Sequence, residues 1–135
     1  MDPKSIAGWF RFADMDLLVA EHSATTLYPP PLEIVCYHCQ QSAEKYLKGY
    51  LISKGVKEPP RTHDLIYLNS MCVGLCPQFS DIDRACGSLN RYSVQPRYPN
   101  EIEVHEHDMK MALDHARIVR DFDPIADARR DWTEV

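Results

Sequence analysis

The chain has 135 residues, 44% of them hydrophobic, with 15 Lys and Arg against 20 Asp and Glu and a net charge of −5. That length suits one domain that buries its core without disulfides or a structural metal, and the negative mean field argues against a general polyanion binder, because affinity for a phosphate backbone is driven by cations. Five cysteines, an odd number, and an N-terminus without the basic-then-apolar plan of a secretory signal predict reduced thiols and a cytoplasmic protein; charges interrupt every apolar run, so no membrane span is expected.

Helical periodicity dominates from the start. Ile6, Trp9/Phe10, Ala13, Leu17, Ala20, Ala24 and Leu27 recur at three- and four-residue spacings, which predicts one apolar stripe on a first helix capped by Ser5. Pro29-Pro30-Pro31 ends it, since each ring removes an amide donor and disfavours helical geometry in the residue before it. A second helix is predicted from about Leu32 to Ser53, with Pro31 in its first turn and Gly55 as a left-handed cap. Val35, Cys36, Cys39, Ala43, Tyr46/Leu47 and Tyr50/Leu51 face inward in this reading, while Gln41, Glu44, Lys45 and Lys48 face outward; Gln40 and Glu44, one turn apart, could instead face the bundle centre or a partner helix.

After Pro59-Pro60, Thr62 reads as the N-cap of a third helix carrying Leu65, Leu68, Cys72 and Leu75, and Pro77 breaks it. Ser80 reads as the cap of a fourth helix with Ile82, Ala85/Cys86 and Leu89; a fifth carries Met109, Ala112, Ala116, Val119 and Phe122. The stretch from Arg91 to Asn100 is irregular and holds two Arg-Tyr pairs. From Pro124 no strong core stripe continues. The expected architecture is therefore all-α, an up-and-down antiparallel bundle of four to five helices over residues 1–123 with a tail at 124–135.

The charge is unevenly placed. Five cations between Lys45 and Arg61 face one anion, Glu58, whereas residues 100–135 hold ten anions and five cations. Lys45 and Lys48, three residues apart on one helix, can project toward one anion, or form a solvated face in which Glu44 and Lys48 make an ordinary i,i+4 pair. Arg97 and Tyr98 offer a guanidinium fork for phosphate and a ring for stacking on a base, or tie a loop to helix ends. His63 stands beside the predicted cap, near a phosphate or satisfying a helix end. The acidic run around His105 and His107 suits a helix N-terminus, and histidines at i,i+2 do not share a face. Cys36 and Cys39, like Cys72 and Cys76, have zinc-like spacing but lie on apolar stripes, so they read as small buried hydrophobes, and no metal or cofactor is expected.

Gln40-Gln41-Ser42-Ala43-Glu44-Lys45-Tyr46-Leu47-Lys48-Gly49-Tyr50, then Thr62-His63-Asp64-Leu65, then Arg97-Tyr98-Pro99 and an alanine-bearing final helix, in this order, resemble the HEPN family (higher eukaryotes and prokaryotes nucleotide-binding domain). The resemblance implies a helical bundle, frequent homodimerisation and pairing with a minimal nucleotidyltransferase, as in toxin–antitoxin-like pairs. In the nuclease members an arginine precedes a histidine by four to six residues; here seven residues separate Arg97 from His105 and nine separate it from His107. The tyrosine that related toxins carry two residues after that histidine is also missing, since His107 and Met109 stand there. The expected protein is thus a non-catalytic domain that binds a nucleotide, or a nucleotidyltransferase partner, through Lys45, Lys48, His63, Arg97 and Tyr98. Its rivals are a metal-independent ribonuclease using Arg97 and His105 on RNA, and a purely structural dimerisation module.

Overall fold

The computed structural model of the chain describes residues 5–94, 98 and 102–133. Six α-helices follow in order: α1 (Ile6–Thr26), α2 (Leu32–Ser53), α3 (Leu65–Leu75), α4 (Asp83–Leu89), α5 (Glu106–Asp121) and α6 (Asp123–Thr133). Short 3-10 turns at Pro77–Ile82 and Asn90–Tyr92 flank α4. Among the described residues there is no strand, and no helix is long and apolar enough to cross a membrane.

The ends of α1 and α2 lie close to where the sequence predicts them, except that Pro31 is the N-cap of α2 rather than a first-turn residue and Leu27, just past the end of α1, is exposed instead of on its apolar stripe. Ser5 Oγ accepts the Gly8 amide at 3.0 Å and so satisfies one of the free donors of the first turn. At the end of α2, Gly55 takes φ 97°, a left-handed conformation that costs a glycine little. Its amide donates to the Ile52 carbonyl and that of Val56 to the Leu51 carbonyl, the paired bonds that satisfy orphan acceptors when a chain turns out of a helix.

The later caps differ from the sequence reading. Asp64, not Thr62, caps α3: its Oδ1 accepts the amides of Ile66 at 3.0 Å and Tyr67 at 3.2 Å, because the helix begins at Leu65 and a cap must directly precede the first helical residue. Thr62 Oγ1 instead accepts the Asp64 amide. Ser80 caps nothing, since it lies inside the Pro77–Ile82 turn. Leu75, at the last position of α3, is exposed, while Asn69 is buried in its stead, donating from Nδ2 to the Phe79 carbonyl and to Asp83.

The main correction concerns the C-terminus. Among the described residues the bundle has six α-helices, because residues 123–133 form α6, which packs on α1, α2 and α5. Ile125 is fully buried and Ala128 nearly so. Pro124 reads as a breaker in sequence, yet it stands in the first helical turn, where its missing donor costs nothing.

α2 is the central element and touches every other helix. Phe10, Leu17, Tyr46, Leu47, Leu51, Leu65, Leu68, Phe79, Leu89 and Ile125 are fully or almost fully buried around it. Tyr50, Phe79 and Phe122 make a chain of ring contacts at 4.5 and 4.9 Å. Gly49 lets α1 approach closely: a Cβ there would stand 2.8 Å from the Phe10 ring. The cysteines pack as small hydrophobes. Burial pushes the Cys36 thiol up to about 11 and those of Cys72 and Cys86 to about 12, so in the folded chain they stay protonated and poorly nucleophilic.

Candidate functional site

Gln40, Glu44 and Lys48 occupy successive turns of α2 and share one face. Lys48 turns inward rather than outward, and Glu44 takes the alternative orientation, facing the bundle interior with Gln40. Gln40 is fully buried, Glu44 is 3% exposed and Lys48 6%, because the segment between α2 and α3 folds back as a strap over that face.

The strap, residues 54–64, is tied down by buried polar groups. Gln40 Nε2 donates to the His63 carbonyl at 2.9 Å, and Gln40 Oε1 accepts from Gln41. Glu44 divides its oxygens between two partners: Oε1 lies 2.8 Å from His63 Nδ1 and Oε2 accepts from Lys48 Nζ at 3.0 Å. Gln40 Nε2 also reaches Glu44 Oε1 at 3.4 Å. A buried carboxylate with one partner would carry a heavy desolvation cost; with Lys48, His63 and Gln40 around it, both oxygens are satisfied. Lys48 is further confined by α1, its ammonium lying 5.8 Å from the Trp9 ring centroid, within cation–π range.

Where strap, α1 and α2 meet, a cavity of ≈150 Å³ opens, lined by Trp9, Lys48, Glu58, Pro59, Pro60 and Arg61. Its walls combine an aromatic face, two proline rings, a buried ammonium and an exposed guanidinium. An indole and proline rings give flat apolar surface for a planar ring system. Lys48 supplies a charge in a place where water screens little, and Arg61 a fork matched to phosphate oxygens.

The site residues expected from sequence separate in space. Lys48 and His63 converge, on Glu44. Lys45 does not join them: its ammonium donates to Asp16 of α1, whose other oxygen lies 2.9 Å from His38 Nδ1. Three residues on a helix differ by about 60° in direction, enough for the two lysines to meet different carboxylates. Tyr98 is 71% exposed, and Arg97 lies outside the described residues. His105 sits at the N-cap of α5, its amide donating to Asp108 Oδ2 at 2.9 Å and its ring 3.2 Å from Glu103. Asp108 is held below the usual carboxylate range, mainly by that backbone amide.

Two cavity residues escaped the sequence reading. Trp9 was read simply as core, and Arg61 only as part of a charge count. The available signal was the Pro59-Pro60-Arg61 run directly before the third helix, a stiff segment carrying a cation.

A third polar cluster locks α6. Asp14 of α1 accepts from Tyr46 Oη and, at 2.9 Å, from Arg129 of α6. The Arg129 guanidinium lies 5.3 Å from the Tyr46 ring centroid. Burial, with Asp14 beside it, raises the Tyr46 phenol well above its ordinary range, so the hydroxyl is a permanent donor.

The chain is thus an all-α bundle built on one long central helix, with a polar strap latched to it. The model of the HEPN domain family matches residues 6–124, and the chain belongs to that family. No curated protein and no solved structure matches it.

Proposed function

We propose that this HEPN protein works by binding rather than catalysis: it binds a nucleotide, a minimal nucleotidyltransferase partner, or both, as one half of a toxin–antitoxin-like pair. The observation that carries the reading is the convergence of Trp9, Lys48 and Arg61 on one cavity beneath a latched strap. Lys48 and Arg61 take the phosphate, and Trp9 with Pro59 and Pro60 takes the base. His63 anchors the strap from the other side of Glu44. Lys45, held by Asp16, and the exposed Tyr98 are left for contacts with a partner protein. A homodimer is the expected assembly.

Calorimetric titration of the pure protein with ATP, GTP and AMP, together with co-purification of a small nucleotidyltransferase, tests the reading. Saturable binding of at least one nucleotide, weakened by Arg61→Ser, supports it; silence in both assays removes it.

A further inference from the structure

We infer that the ligand of the Trp9–Lys48–Arg61 cavity carries an aliphatic chain on its phosphate, as a carboxylic acid activated by a nucleotide does, and that the chain lies in a second cavity one helical turn along the same groove. The inference rests on the reading of the first cavity as a nucleotide site and names the class of nucleotide it takes.

The second cavity, of ≈390 Å³, is lined by Ile6, Ile52, Gly55, Val56 and Lys57. Each of its walls continues a wall of the first. On α1, Ile6 precedes Trp9 by three residues, and on α2, Ile52 follows Lys48 by four, so each pair shares a helix face. The two helices run antiparallel, with Phe10 against Gly49 and Ala13 bonded to Ser42, and both steps therefore lead toward the same end of the bundle. The strap takes the same step: Gly55, Val56 and Lys57 line the second cavity, and the next four residues, Glu58 to Arg61, line the first.

The chemistry of the two cavities differs. In the second, the walls are three branched aliphatic side chains and one cation; Ile52 is 8% exposed, and Ile6 and Val56 pack against the core. Such walls give a base no aromatic face to stack on, whereas a hydrocarbon chain gains by leaving water there. A group joined to a phosphate at Lys48 starts one turn, about 5.4 Å, from Ile52, within reach of its first few carbons. Across the groove Lys48, Lys57 and Arg61 outnumber the one anion, Glu58. That surplus favours an anionic head with an apolar tail over a neutral lipid or a peptide of mixed charge.

The test is calorimetric titration of AMP, GMP and the octyl ester of each on its phosphate into the wild-type protein, Val56→Ser and Ile6→Ser, with circular dichroism to establish folding. At least one ester is expected to bind about tenfold or more tightly than its parent nucleotide, because two methylene groups leaving water suffice for that gain. Each folded variant is expected to lose most of the gain and to keep the affinity for the parent nucleotide. Equal binding of ester and parent, or a gain that survives in the folded variants, overturns the aliphatic subsite and leaves the nucleotide site standing. An absence of binding by every nucleotide, ATP and GTP included, and by both esters overturns both.

Discussion

Gly49 and Phe10 show how one missing methyl group fixes the distance between α1 and α2. A helix-interior glycine costs about 1 kcal/mol relative to alanine, so Gly49→Ala gains that much in propensity. The new Cβ would stand 2.8 Å from a fully buried ring, and overpacking of this kind costs about 1–3 kcal/mol. The clash wins: the variant is expected to lose about 1 kcal/mol net in urea unfolding, where an ordinary exposed helix glycine would gain.

His115 supplies a pH dependence at the same scale. Burial lowers its proton affinity below the ordinary 6.5, and its Nδ1 is buried without a protein partner among the described residues. The unfolded chain therefore binds the proton more readily, and stability falls as the pH drops through 6.5 toward the lower folded value. His115→Gln flattens the unfolding midpoint across that window. Asp108 and Asp121, held low by an amide and by Arg120 respectively, act in the opposite corner, losing their contribution only as the pH falls through the carboxylate range.

At the scale of elements, α6 decides how far the core extends. Ile125 is fully buried and Arg129 ties the helix to Asp14, so Ile125→Ala is expected to cost about 2–4 kcal/mol. Asp127→Ala, two residues along the same helix and exposed, should change stability by less than about 0.5 kcal/mol. Equal, small effects in the two variants would mean that α6 does not belong to the cooperative unit. The sequence hid this helix for a physical reason: only Ile125 and Ala128 mark its buried face, and Pro124 imitates a stop. The long helices were legible because α1 and α2 each repeat an apolar stripe over many turns, with a serine cap and a glycine exit that depend on local chemistry alone. The strap was not legible, because Glu44 and Lys48 look like a solvated i,i+4 pair until the chain folds back over them, and that return depends on His63 and Gln40 meeting across 23 residues.

At the scale of the whole molecule, the candidate site exists because three elements meet: the Trp9 face of α1, the Gln40–Glu44–Lys48 face of α2, and the strap. Half of it was readable in advance, as local positive charge near His63; the aromatic wall and Arg61 were not, since nothing in their local pattern says which way they turn. The net charge is −5, so under the proposed reading a selective anion site would rely on the cavity's own cations and ring rather than on the mean field.

The claim on which the account depends is that this cavity takes a nucleotide. Isothermal titration of ATP, GTP and AMP into the wild-type protein and into Arg61→Ser, with circular dichroism to establish that both are folded, is the decisive measurement. At least one nucleotide is expected to bind saturably, one per chain, with the exposed Arg61→Ser change weakening it by about tenfold, the worth of one charge-assisted contact; binding of equal strength in the two folded proteins, or of no nucleotide to either, rules the cavity out as a nucleotide site.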